Sequence, residues 1–125
     1  MERIQPLGVA DPGLYAQCIR TGNTLYLSGQ AAIDEHGQVV GAGDAEAQAE
    51  CIWRNIGRIL QAAGASYSNI AKLTTYLVNI ADRETSMDVR KRFLGDHLAA
   101  STLVGTSALA HPDLLIEVEV VAVLD

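Results

Sequence analysis

The chain of 125 residues is expected to fold as an α+β domain, a sheet carrying two helices on one of its faces. Three observations predict this. The C-terminal run Leu114–Leu124 is an unbroken aliphatic and β-branched stretch, which reads as a strand. Between Ala45 and Ala63 the apolar period changes to that of a helix. Strand-like and helix-like segments follow one another in the order ββ(β)αβαββ, with no repeat, low-complexity tract or linker, so residues 1–125 read as one domain.

The elements follow in order. Gly8 to Gly13, with Pro12, is a loop. Leu14–Arg20 reads as a strand. Thr21-Gly22-Asn23 is a tight turn, because Gly and Asn suit positive φ, and Thr24–Ser28 is the hairpin partner. Gly29-Gln30 ends that strand. Asp34–Gly37 and Gly41–Gly43 are further turn signals. In the first helix Ala45, Ala49, Ile52, Ile56, Ile59 and Ala63 recur at spacings of four and three, with Asp44 as N-cap and Gly64 past the C-terminus. Glu50 and Arg54 pair at i,i+4 on the polar side, and Trp53 flanks the apolar stripe as a packing residue. Ile70–Ile80 is a strand. Asp82 or Thr85 begins a second helix that runs to about Leu98, with Val89, Phe93, Leu94 and Leu98 turned inward. Leu103–Leu109 is a strand, and His111-Pro112-Asp113 turns into the last one.

On that last strand the side chains alternate. Leu115, Glu117, Glu119, Val121 and Val123 share one face, and Leu114, Ile116, Val118, Val120, Ala122 and Leu124 share the other. Two carboxylates about 7 Å apart thus lie on an otherwise apolar face. A buried, unpaired carboxylate costs several kcal/mol, so either these acids point to solvent or one of them is used. Glu119, with more apolar neighbours, is expected to be the more enclosed.

Hydrophobic residues make up 49% of the chain and charged residues 19%, which excludes a disordered chain; with aromatics at only 5%, the core must be aliphatic. The net charge of −6 argues against nucleic acid or an anionic membrane as partner. The one basic cluster, Arg90-Lys91-Arg92, fits a solvated helix face. No segment approaches the ~20 apolar residues of a membrane span, and no signal-peptide core is visible. Cys18 and Cys51 lie far apart without a motif. They are expected to be reduced thiols of a cytoplasmic protein, Cys18 a small core residue and Cys51 the less reactive of the two. His36, His97 and His111 lack ligand spacing, so neither metal nor cofactor is expected.

Several segments together carry a family resemblance over nearly the whole chain. They are Gly13-Leu-Tyr-Ala-Gln17, Leu27-Ser-Gly-Gln30, Ala62-Ala-Gly64, Ile70-Ala-Lys-Leu-Thr-Thr-Tyr-Leu-Val-Asn79 and Ile116-Glu-Val-Glu-Val-Val-Ala-Val123. In this combination the chain resembles the RidA (YjgF) family of enamine/imine deaminases. The resemblance implies a chorismate-mutase-like fold and a homotrimer whose three sheets form a central barrel, with sites in the clefts between subunits. It also implies an arginine that grips a substrate carboxylate and a glutamate that positions water for attack on an imine. Position by position, Tyr15 matches the pocket tyrosine, Ser28 and Gly29 the pocket strand end, and Glu119 the water-positioning glutamate. The arginine position falls on Thr102, and the pocket asparagine of the second helix near Met87 or Asp88, so both family residues are missing.

A hydroxyl cannot replace a bidentate guanidinium. Three possibilities remain open. The substrate is neutral or cationic; or another subunit supplies the cation through His97, His111 or Arg92; or activity is gone. The expected function is hydrolysis of a small imine, enamine or related metabolite, with Glu119 acting through water and Tyr15, Ser28, Gly29 and Thr102 around the substrate. The alternative is a non-catalytic trimeric small-metabolite binder or pathway accessory protein. An RNA-directed nuclease, sometimes attached to this family, is disfavoured by the charge. Each site residue also has a plainer role open to it: Tyr15 could fill a subunit junction, and Ser28 could close a turn.

Overall fold

The computed structural model describes all 125 residues. Its strands are β1 (Glu2–Ile4), β2 (Cys18–Thr21), β3 (Thr24–Ala31), β4 (Ile70–Leu77), β5 (Ala100–Gly105) and β6 (Ile116–Val123); its helices are α1 (Ala45–Ala62) and α2 (Arg83–Leu94). The six strands form one sheet in the order β1-β2-β3-β6-β4-β5. All neighbours are antiparallel except β4 and β5, which are joined through α2 and run parallel. The chain therefore ends by inserting β6 between β3 and β4, so that both edges of the last strand are paired.

Both helices lie on one face of the sheet, as expected. Asp44 caps α1 by accepting from the Ala47 N–H at 3.0 Å, and Gly64 follows its end with φ 78°. The inward stripe of α1, Ala49, Ile52, Trp53, Ile56, Ile59 and Leu60, packs on Leu25, Leu27, Leu73, Leu77, Ile116, Val118 and Val120. Trp53 sits fully inside this core. Its carbonyl accepts from the Tyr67 hydroxyl at 2.7 Å, and Gly57 leaves the room that hydroxyl occupies. Gln48 is the one fully buried polar side chain of the stripe. It donates to the Asp113 carbonyl at 2.8 Å and accepts from the Leu115 N–H at 2.8 Å, tying α1 to the chain entering β6. Arg92 of α2 reaches Glu46 at 3.0 Å and Glu50 at 2.9 Å on α1, and Glu50 also meets Arg54 at 3.4 Å.

Four expectations need correction. The strand expected over Leu14–Arg20 is only Cys18–Thr21. Leu14 and Tyr15 project into solvent, and Gln17 turns back to donate to the Ala10 carbonyl at 2.8 Å. The edge strand β1 has no counterpart in the sequence pattern, because its three residues include Glu2 and Arg3. The second helix stops at Leu94 instead of Leu98, since Gly95 takes φ 58° and breaks the ladder; Leu98 is 91% exposed rather than inward. The fifth strand begins at Ala100 and ends at Gly105, short of Leu109, where pairing with β4 stops.

The expected order of the two thiols is also reversed. Cys18 is fully enclosed, and burial, helped by the negative charge of Glu2, pushes its thiol up to about 11. Cys51 is only partly covered, on the flank of α1. Native labelling with a thiol reagent should therefore modify Cys51 first and Cys18 only on unfolding. Equal rates at the two sulfurs would show that β2 opens readily.

Candidate functional site

The sheet face away from the helices carries the chemistry. Register places on it Tyr26 of β3, Glu117, Glu119, Val121 and Val123 of β6, Lys72, Thr74 and Tyr76 of β4, and Thr102 and Val104 of β5. Tyr26, Val104 and Val123 are exposed apolar side chains among them. Helix packing on the other face explains why Val118 and Val120 face the core while the glutamates between them do not.

Two irregularities aim side chains at this face. On β3, Leu27 pairs Val120 and Gln30 pairs Val118, so Ser28 and Gly29 form a bulge opposite Glu119. On β4, Ile70 pairs Ala122 and Lys72 pairs Val121, so Ala71 is an extra residue. Without it, Lys72 would share the core face with Ile70. With it, Lys72 points to the open face.

The result is a row across the sheet. Ser28 and Gly29 lie on one side of Glu119. On its other side Thr74 pairs with Glu119, and Thr102 pairs with Thr74. At a strand spacing of about 4.8 Å, the row from β3 to β5 spans roughly 14 Å. Glu119 is exposed in this row and has the solvent access that a water-handling carboxylate needs. Thr102 accepts a hydrogen bond from Lys72 Nζ at 2.6 Å. Ser28 donates through its hydroxyl to the Ala16 carbonyl at 2.6 Å, which anchors the segment carrying Tyr15 beside the bulge. Tyr15 is half exposed at the margin of the row and lines a concavity of about 190 Å³ with Gln17, Gln30 and Asn55. The structure thus brings Ser28, Gly29, Glu119 and Thr102 into one line, with Tyr15 adjacent to one end.

Glu117, not Glu119, is the more enclosed carboxylate, contrary to expectation. A Cβ at Gly29 would run into the Glu117 carboxyl, so glycine there is what gives that group its space. Burial pushes the Glu117 carboxyl above its ordinary range, and the charge of Glu119 two residues on adds to the effect.

A larger concavity of about 340 Å³ lies elsewhere, between α2 and the approach to β5, lined by Met87, Asp88, Arg90, His97 and Leu98 among others. It is on the helix side of the sheet, so Met87 and Asp88 do not meet the row within one chain. The three cations considered as donors from another subunit are occupied to different degrees. Arg92 pairs with Glu46 and Glu50. His97 Nε2 lies 2.8 Å from the Ile70 carbonyl. His111 Nδ1 accepts from the Asp113 N–H at 3.0 Å. Sequence pattern alone does not single out Lys72, because the register shift after Ile70 appears only in the pairing with β6.

With this geometry in view, comparison with known proteins is decisive for the family. The profile of the family described as endoribonuclease L-PSP matches residues 9–124. The chain belongs to this family, the RidA (YjgF) family. A RutC family protein of Pyrococcus abyssi is 37% identical over 111 residues, covering 88% of this chain and 86% of that protein. The 2-iminobutanoate/2-iminopropanoate deaminase of Homo sapiens is 35% identical over 112 residues, covering 89% and 80%. Among solved structures, RidA from an Antarctic Psychrobacter superposes with a TM-score of 0.90 at 30% identity, over 99% of this chain and 100% of that one. Escherichia coli TdcF with bound serine superposes with a TM-score of 0.90 at 26% identity, over 100% of both chains. The two-helix, six-strand mixed sheet of this RidA-family chain is thus the architecture of its relatives.

The enclosure of Glu117 has a pH signature. The folded chain retains a proton on Glu117 that the unfolded chain releases near the ordinary value of 4.5. Stability from this group is therefore complete below that value and is lost as pH rises through the raised folded-state value. Glu117→Gln lacks this decline, so its melting temperature relative to wild type should climb as pH rises above the ordinary value of 4.5. A difference that does not change with pH would show that Glu117 is as solvated folded as unfolded.

Proposed function

We propose that this RidA-family protein is a cytoplasmic homotrimer that hydrolyses a small imine, enamine or related metabolite, in a cleft between subunits built around Glu119. The observation that carries the reading is the row itself: an exposed glutamate on an apolar sheet face, flanked by the Ser28–Gly29 bulge and by Thr102. The relatives named as 2-iminobutanoate/2-iminopropanoate deaminases, at about 35% identity, support the class of reaction.

In this reading water adds its oxygen to the imine carbon while Glu119 takes one of its protons. The imine nitrogen gains a proton to give the carbinolamine, which collapses as its hydroxyl loses a proton and its amine takes the one Glu119 removed, so that the C–N bond breaks and ammonia leaves a carbonyl product. Tyr15, Ser28 and Gly29 border the substrate on the β3 side, and Thr102 borders it on the β5 side. The open apolar face around the row is what two further copies would cover, since exposed apolar patches of this kind mark interaction surfaces. Met87 and Asp88 of a neighbouring copy would then close the cleft.

Thr102 stands where the family arginine is expected. A charge-assisted hydrogen bond contributes about 1.5–3 kcal/mol, so replacing a bidentate guanidinium by a hydroxyl lowers carboxylate binding by ~10²-fold or more. Activity on anionic imines is therefore reduced or shifted relative to the deaminase relatives. The missing arginine also favours the second reading, a trimeric metabolite-binding accessory protein that uses the same cleft without turnover.

Light scattering at micromolar concentration should report about three times the mass of one chain; a stable monomer would remove the shared cleft. Imine hydrolysis is then measured in wild type, Glu119→Gln and Thr102→Arg. Glu119→Gln should lower the rate on every imine by about 10²-fold or more, the usual scale for a positioned base. Thr102→Arg should raise the rate on anionic imines more than on neutral ones. No turnover in any of the three, with ligand binding intact, establishes the accessory-protein reading instead.

A further inference from the structure

The concavity of about 190 Å³ that Tyr15 borders is built on the helix side of the sheet, away from Glu119. Past the bulge of β3, Gln30 pairs with Val118, so its side chain turns toward the helices as Val118 does. Three amide side chains wall this space, Gln17, Gln30 and Asn55, each more than nine-tenths buried. Their nitrogens already donate within the protein. Gln17 Nε2 donates to the Ala10 carbonyl at 2.8 Å, and Gln30 Nε2 to Gln17 Oε1 at 2.7 Å and to the Ser28 carbonyl at 3.0 Å. Asn55 Nδ2 donates to the Ile33 carbonyl at 2.9 Å, and its oxygen accepts from Arg58 at 3.0 Å. The two bonds from Gln30 Nε2 fix which way that amide is turned. Its Oε1 receives no hydrogen bond and opens into the concavity. A buried acceptor without a donor is costly and calls for a partner.

We propose that this concavity binds a short primary alkylammonium ion, with its N–H groups directed to Gln30 Oε1 and Asp11. The site is separate from the Glu119 row and requires no turnover there. The chemistry of its walls selects the ligand. The free groups are acceptors. Besides Gln30 Oε1 there is the Asp11 carboxylate, whose Oδ1 takes Arg3 and the Gly13 N–H while Oδ2 has no partner. An ammonium offers three donors and no acceptor, so nothing on its head group is left unmatched. The Tyr15 ring, half exposed at the mouth, adds an aromatic face that attracts a cation. Val9, Ala10, Pro12, Ala31 and Ile33 supply apolar wall for an alkyl chain. At about 30 Å³ for each water-sized group, the space takes about six of them, which suits a nitrogen carrying about four carbons.

An anion is the wrong ligand for these walls. Arg3 is spent on Asp11 at 2.8 Å, and Arg58 opens into a separate concavity beside Asp34 and Glu35. Water alone is the alternative occupant; it would satisfy Gln30 Oε1 but leave the apolar wall wet. The concavity is also joined to the bulge of β3. Gln30 Nε2 holds the Ser28 carbonyl, and the Ser28 N–H donates to the Gln17 carbonyl at 2.9 Å. An ammonium on Gln30 therefore acts on the same amide that braces Ser28, and its arrival is reported at the Ser28 N–H.

The test is an NMR titration of the intact, isotope-labelled protein with butylammonium. Butanol, its neutral counterpart, and tetramethylammonium, a cation without N–H groups, are the comparators. Butylammonium should bind with a dissociation constant on the order of millimolar, the scale for a ligand of about five non-hydrogen atoms. It should shift the side-chain amide signals of Gln30 and Gln17 and the backbone N–H signal of Ser28. Butanol and tetramethylammonium should each bind about tenfold more weakly, since each lacks the charge-assisted hydrogen bond. Gln30→Met keeps the length of the side chain and removes the acceptor, so it should lose about tenfold in affinity for butylammonium. Asp11→Asn, at an exposed position, should lose about two- to threefold. Circular dichroism verifies the fold of Gln30→Met; if that variant does not fold, the wild-type shifts and Asp11→Asn decide. Unshifted Gln30 signals in the wild type, which leave water alone in the concavity, overturn the proposal. So does butanol or tetramethylammonium binding as tightly as butylammonium, or unchanged affinity in folded Gln30→Met.

Discussion

The arrangement of this molecule depends on the insertion of β6 between β3 and β4. This strand lies inside the sheet, hydrogen-bonded along both edges. Ile116, Val118, Val120 and Ala122 are therefore sealed beneath the helices, and Glu117 and Glu119 are fixed at the middle of the opposite face. A glutamate on an edge strand could relax into solvent. On a central strand its backbone is held from both sides, and its position is set by the register of two neighbours. Gln48 contributes to the same end, since its hydrogen bonds with the Asp113 carbonyl and the Leu115 N–H fix the chain just before β6 begins.

The two bulges act on either side of that strand. Each adds residues to β3 or β4 while β6 stays regular, so each reverses which face the following side chains take. On β3 the bulge sets Ser28 and Gly29 against the glutamates. On β4 it delivers Lys72 to the open face. Regular strands would have sent Lys72 under the helices, where an unpaired ammonium costs several kcal/mol, and no cation would stand beside Thr102. The irregularities thus link the packing of the core to the electrostatics of the face. The same residue count that satisfies the apolar layer decides which polar groups meet.

On that face the charges are graded. Glu117 lies in the space left by Gly29 and resists ionisation, Glu119 is open to water, and Lys72 stands beyond Thr74 with a hydroxyl as its partner. An apolar surround of Tyr26, Val104, Val121 and Val123 limits how much water screens them, and would do so more once the face is covered. A site of this kind gains its polarity from a few side chains on a rigid sheet rather than from mobile loops. Solved relatives of this RidA-family chain keep the same scaffold at 26 to 30% identity.

By itself the sequence determined the α+β class, the caps of α1, the alternation of β6 and the family. These are local patterns: periods of two and 3.6, a capping aspartate, and motif segments in a fixed order. It also marked Glu119, Thr102, Ser28, Gly29 and Tyr15 as residues to examine. The bulges were not legible: the buried positions that reveal them include polar Gln30 on β3 and Thr75 on β4, which no apolar pattern marks. Tertiary structure alone decided the rest. Whether Glu117 or Glu119 is enclosed depends on Gly29, which is remote in sequence. That β5 runs parallel to β4, and so brings Thr102 to Lys72, depends on the crossover through α2. Cys18 is fully enclosed on β2, whose outer edge is paired by β1, three residues without a pattern. Local pattern states which face a residue takes on its own strand; only the packing of strands against one another states what it will find there.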